Sequence, residues 1–189
     1  MQINRGDKLI IGFAGEMGCG KGTAVDYIVK RYNGESLRFS TIIRDLLRRL
    51  YLSETRDNLQ KISTVLRENF GQDILSVAMA GDIEKSSKKI VVLDGIRRLS
   101  DIDFLKNRSS FIFIYIETSI DNRYNRIVQR RENPDDNIKT LDQFKNELEN
   151  EAEAQIRELK KAANHIINND GTLDDLHTQI DVIIKPHLK

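Results

Sequence analysis

The chain has 189 residues, 39% of them hydrophobic and 31% charged, with a formal net charge of +1. That length and balance suit a single domain with a substantial core, and the near-neutral charge argues against a nucleic-acid track or an anionic membrane as the main partner. One cysteine (Cys19) excludes an intrachain disulfide, and three scattered histidines beside it speak against a zinc site.

Arg5, Asp7, Lys8 and Glu16 interrupt the first apolar stretch, so no signal-peptide pattern is present. No run approaches the ~18 apolar residues of a membrane span. A cytoplasmic protein is expected.

The first strand is predicted over Lys8 to Phe13. It runs into "GFAGEMGCGKGT", residues 12 to 23, which holds five of the chain's eleven glycines. Gly15, Gly20 and Lys21 fit the phosphate-binding pattern G-x-x-x-x-G-K, with a helix starting near Lys21. Small residues let successive main-chain N–H groups converge on a phosphate, and the helix adds its positive end. Lys21 adds a mobile full charge for the β- and γ-phosphates. Gly15, Glu16, Met17, Gly18, Cys19, Gly20, Lys21, Gly22 and Thr23 are the expected ATP-binding residues. The general pattern places Ser or Thr directly after Lys; here Gly22 intervenes, and Thr23 carries the hydroxyl expected near magnesium or the α-phosphate. Cys19 is read as loop filler.

A second strand is predicted over Glu35 to Phe39, followed by "STIIRDLLRRL". Ser40 and Thr41 read as caps of the next helix, and Arg44 lies one turn in. The segment resembles the point at which nucleoside-monophosphate kinases hold the acceptor phosphate with an Arg, which implies that Ser40 and Arg44 meet a phosphorylated acceptor, with an exposed helix charge as the alternative for Arg44. Apolar stripes at Leu59, Ile62, Leu66 and Phe70, and at Ile74, Leu75, Ala78 and Met79, predict two further helices. Arg67 on the first of these is a weaker acceptor residue, and a surface position is the favoured reading for it.

The third and fourth strands, Lys89 to Leu93 and Phe111 to Ile116, are almost unbroken apolar runs, as strands buried on both faces are. Asp94 ends the third. A carboxylate there can hold magnesium or its water shell, and Arg97 and Arg98 follow with guanidiniums suited to phosphate. After the fourth strand, Arg123, Arg126, Arg130 and Arg131 recur within nine residues. Arg123, Arg126 and Arg130 share one helical face. They read as a short lid closing over a triphosphate, with a solvated helix face as the alternative. Pro134, Asp135 and Asp136 end that segment.

Leu141, Phe144, Leu148, Ala152, Ile156 and Leu159 mark one long helix, begun by a capping box from Thr140 to Gln143. A last strand at His165 to Ile167 leads to Asn169 and Gly171 in a turn, then to a helix with stripe Leu173, Leu176, Ile180, Ile183 and Ile184. Alternation of strands and helices predicts an α/β, three-layer fold with a parallel sheet of about five strands. Ligands in such sheets bind beyond the carboxyl ends of the strands.

The form G-x-x-G-x-G-K-G-T at Gly15–Thr23 resembles the adenylate kinases and their nucleoside-monophosphate kinase relatives. "DGIRR" resembles the Asp-Gly-x-Pro-Arg segment of adenylate kinases, which would make Arg98 the acceptor-phosphate residue. It also resembles the Asp-Gly-Ile-Arg segment of archaeal adenylate-kinase-related and dephospho-coenzyme A kinase-like families, which would make it Arg97. "NNDGT" resembles the Asn-x-Gly-Thr/Ser segment of dephospho-coenzyme A kinases, whose backbone touches the donor adenine; this puts Asn169 and Gly171 at the ATP site.

The resemblance implies one P-loop kinase domain over residues 1–189, with acceptor-binding helices at about 40–88 and a lid at about 123–140. It implies ATP and Mg²⁺ as cofactors, Lys21, Asp94, Arg126 and Arg130 as catalytic residues, and Thr23 and Asp94 near the metal. The expected partner is a small-molecule nucleotide acceptor, and the expected assembly a monomer or homodimer. The alternative acceptor is dephospho-coenzyme A, whose sugar hydroxyl would need a base; Asp26 and Asp45 are the nearby carboxylates. A non-kinase switch or ATPase is the alternative of another class. No Asn-Lys-x-Asp guanine motif occurs, and a ring-forming ATPase would bring a second helical domain.

Overall fold

The computed structural model describes residues 8–130, 140–148 and 151–188. Five strands, β1 (Leu9–Ala14), β2 (Glu35–Arg38), β3 (Ile90–Asp94), β4 (Phe111–Glu117) and β5 (His165–Asn168), form one sheet in the order β2-β3-β1-β4-β5. Every pairing is parallel. The helices between them are α1 (Lys21–Tyr32), α2 (Phe39–Arg49), α3 (Arg56–Phe70), α4 (Ile74–Lys85), α5 (Ile120–Arg130), α6 (Leu141–Leu148), α7 (Glu151–Glu158) and α8 (Leu173–Ile184). Each of the five strands expected from apolar runs is present, within a residue or two of its expected ends.

Strand geometry explains why "IVVL" and "FIFIYI" are apolar throughout. Successive side chains point to opposite faces, and both faces are covered. On β4, Phe111, Phe113 and Tyr115 join one core with α2 and α4, while Ile112, Ile114 and Ile116 join another with α1 and α8. A third, smaller cluster of Ile127, Phe144 and Leu148 packs α5 against α6, with Met17 of the glycine-rich loop beside it.

The spacing from Leu141 to Leu159 predicts one long helix; the structure describes α6 and α7 instead, with residues 149–150 outside the described set and a 3-10 turn at Leu159–Ala162. Arg157 Nη1 donates to Leu148 O at 3.0 Å. On one straight helix those residues would be about 13 Å apart along the axis, so α6 and α7 do not share one axis. The Thr140–Gln143 capping box is present: Gln143 N donates to Thr140 Oγ1 at 3.2 Å, and Thr140 N to Gln143 Oε1 at 2.8 Å.

Strand β1 is central, with β3 on one side and β4 on the other, so the loops after β1, β3 and β4 open into one crevice.

Candidate active site

The loop between β1 and α1 takes left-handed backbone at Gly15, Gly18 and Gly20. Close packing explains the requirement at two of them. A Cβ at Gly15 would overlap Ile116 O of β4, and one at Gly20 would overlap the Asn169 amide. Gly20 is the N-cap of α1, and no side chain caps that helix. The first-turn N–H groups, Lys21 to Thr23, thus have no side-chain acceptor and no carbonyl one turn earlier. Gly22 and Thr23 are exposed, and a Cβ at Gly22 would meet open space. Lys21 Nζ donates to Gly15 O and, at 3.0 Å, to Glu16 O, so its ammonium lies over the loop.

Asn169 and Arg126 brace this loop from β5 and α5. The buried Asn169 donates from Nδ2 to Cys19 O at 2.8 Å, and Arg126 Nη2 donates to Asn169 O at 2.7 Å. Thr118, at the end of β4, adds its hydroxyl to Cys19 O at 3.2 Å. Cys19 is wholly buried and contributes its carbonyl to this contact. Gly171 is exposed in the turn before α8, which Thr172 and Asp175 cap reciprocally. Asp170 accepts from Ser119 N at 2.8 Å and Asn122 Nδ2 at 2.9 Å, closing the start of α5. The Asn122 amide first, then the Ser119 N–H, hold the Asp170 carboxyl down at about 2.

Arg123 departs from its expected place in the lid. It is 4% exposed, its Nη1 is 3.0 Å from Glu16 Oε2, and its guanidinium stands 5.7 Å from the Phe144 ring centroid. Phe144 and Ile127 fill the space on that side, so this arginine supports the loop from beneath and is not presented to the crevice. Glu16 is held a second time, by Arg157 Nη1 at 3.2 Å. For Arg130 only the backbone, at the end of α5, is described. Arg131, Pro134, Asp135 and Asp136 lie outside the described residues.

On the other side of β1, Asp94 ends β3 and is the register partner of Arg38, which ends β2. Arg38 donates to Asp94 Oδ2 from Nε at 2.8 Å, and its Nη2 is 2.7 Å from the same oxygen in an ion pair. Arg97 and Arg98 follow, with exposed side chains. Their main-chain N–H groups both donate to Asp101 Oδ2, at 2.9 and 3.0 Å.

Two acceptor-side expectations change, the surface place of Arg67 and the capping of α2 by Ser40. Arg67 is not on the surface and does not face the crevice. It forms an ion pair with Asp101 at 2.5 Å, with side chains 5% and 3% exposed, and also donates to Gln72 O. Burial forces this pairing, because an unpartnered guanidinium inside the core would be far too costly. Arg44 pairs with Glu54 at 2.6 Å, and Arg48 with the same carboxylate at 2.8 Å. Arg44 first, then Arg48, hold Glu54 below the usual carboxylate range. Ser40 does not cap α2: the helix starts at Phe39, its N-cap is Arg38, and no side chain caps it.

Arg38, Asp101, Thr118 and Arg157 carry site contacts that sequence reasoning passed over. Only Arg38 had a usable signal, its place at the carboxyl end of a strand. Asp101 pairs with a residue 34 positions away, and Arg157 with one 141 positions away.

A glycine-rich loop at the carboxyl end of a central parallel strand, running straight into a helix that carries its lysine, defines a P-loop. The AAA_17 family model, described as an AAA domain, matches residues 14–142. The chain belongs to that family. Among solved structures it is similar to a shikimate kinase from Bacteroides thetaiotaomicron, with a TM-score of 0.63 and 14% identity over 94% of this chain and 98% of that one. It is also similar to a shikimate kinase from Acinetobacter baumannii in complex with shikimate, with a TM-score of 0.53 and 19% identity over 96% of each chain. At those identities the likeness establishes the fold alone, that of a P-loop kinase. Among curated proteins, UPF0200 protein MJ1399 of Methanocaldococcus jannaschii is 27% identical, over 94% of this chain and 89% of its own. UPF0200 protein Mbar_A0975 of Methanosarcina barkeri is 26% identical, over 95% and 96%. No helix among the described residues is long and apolar enough to cross a membrane.

Proposed function

We propose that the protein is an ATP-dependent phosphotransferase of the nucleoside-monophosphate kinase type, acting on a small acceptor that already bears a phosphate. The observation that carries this reading is the pairing of a P-loop, with Lys21 over it, and a cationic edge one strand away, where Arg38, Arg97 and Arg98 stand beside Asp94.

The loop's chemistry fits ATP. The uncapped start of α1, the open space at Gly22 and the Lys21 ammonium together favour a polyphosphate. Asp94 and the exposed Thr23 hydroxyl fit a hydrated magnesium ion, which when bound would neutralise charge on the β- and γ-phosphate oxygens.

In the reaction, an acceptor-phosphate oxygen forms a bond to the γ-phosphorus. The bond from that phosphorus to the β–γ bridging oxygen breaks, and its electron pair leaves with ADP. The acceptor oxygen is already anionic, so no base is needed. Lys21 and the arginines hold the two anions in line and meet the charge that spreads over the moving phosphoryl group. Arg126 bears on this site through the loop it braces, and Arg130 is placed by sequence on the same helix.

The carboxylates considered as bases for a hydroxyl acceptor do not favour that reading. Asp26 is exposed on α1, and Asp45 pairs with Arg48 at 3.0 Å. The test is ADP release from ATP and Mg²⁺ against a panel of ribo- and deoxynucleoside monophosphates plus dephospho-coenzyme A. Stimulation by a monophosphate is expected. Stimulation by dephospho-coenzyme A alone would replace the acceptor, and ADP release indifferent to every acceptor would replace the kinase with an ATPase.

A further inference from the structure

Arg38 stands apart from the other arginines of the acceptor side. Arg67 is sealed against Asp101, and Arg44 and Arg48 share Glu54. Arg38 has instead taken the one carboxylate at the carboxyl end of β3. Its Nε donates to one oxygen, Oδ2 of Asp94, and its Nη2 lies against that same oxygen. The two partners differ in exposure, 61% for the Arg38 side chain and 12% for that of Asp94.

A nearly buried carboxylate is therefore neutralised by a guanidinium that stands mostly in water. Such a guanidinium can change partner without disturbing the core, because its own side chain is largely solvated whichever anion it holds. A phosphate presents more acceptor oxygens than the single one Arg38 uses now, in a geometry its two-donor fork matches. Asp94, once released, would be a desolvated anion facing the crevice, which a hydrated divalent cation would stabilise.

Resting on the kinase reading above, we propose that Arg38 binds the acceptor's phosphate by exchanging it for Asp94, so that acceptor binding frees Asp94 for the magnesium of the bound nucleotide. Acceptor and Mg²⁺-nucleotide then tighten each other by the same factor, as linkage requires. In the absence of acceptor, Asp94 stays neutralised and the metal is held less well, which would restrain hydrolysis of unpartnered ATP.

The test is calorimetric binding of the non-hydrolysable analogue AMPPNP with Mg²⁺, with and without each ribo- and deoxynucleoside 5′-monophosphate, for the wild type, Arg38→Gln and Arg38→Lys. Thermal unfolding confirms that each variant is folded. For the wild type, at least one monophosphate should tighten Mg²⁺·AMPPNP by about 10-fold, within the usual range of such couplings. Arg38→Gln should bind that monophosphate on the order of 10- to 100-fold more weakly, as loss of a charged hydrogen bond does. Yet it should bind Mg²⁺·AMPPNP alone more tightly than the wild type, with no further gain from the monophosphate. Arg38→Lys should recover part of the monophosphate affinity.

A merely structural role for Arg38 would not improve metal-nucleotide binding. Wild-type protein showing no coupling to any monophosphate would overturn the proposal, as would Arg38→Gln with unchanged coupling. The kinase reading fails on a different result, the absence of phosphoryl transfer from ATP to every acceptor in the panel.

Discussion

The two sides of the crevice are held by different kinds of force. On the donor side, the backbone path of the P-loop is held by neutral hydrogen bonds and close packing: Asn169 to Cys19 O, Thr118 to Cys19 O, and glycines whose Cβ atoms would collide with β4 or Asn169, with the ion pairs of Arg123 and Arg157 confined to one loop side chain, Glu16. On the acceptor side, side-chain ion pairs do most of the work: Arg38 with Asp94, Arg67 with Asp101, and Arg44 and Arg48 with Glu54. On the proposed kinase reading, main-chain donors would recognise what all nucleoside triphosphates share, and the side-chain pairs, which can be exchanged residue by residue, would set what is particular to one acceptor. The buried pair is the exception on its side, a fixed post carrying the Arg97–Arg98 loop.

That post should give the largest effect when broken. Arg67→Ala leaves Asp101 buried and unpaired, and should cost about 3–5 kcal/mol of unfolding free energy. Urea denaturation reads it, and a loss near 0–1 kcal/mol, the value of a surface pair, would place Arg67 with the exchangeable ones.

Next comes the donor loop's single cation. Lys21→Ala should lower phosphoryl transfer by about 10²–10³-fold, the scale of one preorganised charge-stabilising donor, while the urea midpoint stays close to that of the wild type. Undiminished transfer by folded mutant protein would remove Lys21 from the reaction.

A smaller effect should follow Gly20→Ala. Its φ of 101° is left-handed, which costs an alanine about 1–2 kcal/mol, and its methyl would push against the Asn169 amide. Both stability and ATP affinity should fall. If only stability falls, the Asn169 brace does not shape the phosphate site.

The smallest effect concerns Asp170, which ties the β5–α8 turn to the start of α5. Its folded pKa, about 2, lies below the ordinary 3.8. Its contribution is therefore fully present above the unfolded value and is lost as the pH falls from about 4 through about 2. Asp170→Asn should melt slightly earlier than wild type at neutral pH, and the gap should close across that window. A gap that persists at the lowest pH would show that the charge was not the cause.

The amino-acid sequence by itself determined the strands, their parallel arrangement and the P-loop. These rest on local rules: unbroken apolar runs at β1, β3 and β4, and glycines at fixed spacing before Lys21. It also placed Asp94, because the end of a buried strand is recognisable from the run that precedes it. The tertiary structure alone decided which arginines face the crevice. Arg67, Arg123 and Arg38 look alike in sequence, yet the first is sealed against Asp101, the second lies under Glu16 beside Phe144, and the third stands in water beside Asp94. A guanidinium's role depends on its partner and its exposure, and both are set by chain segments tens of residues away, which no local spacing encodes.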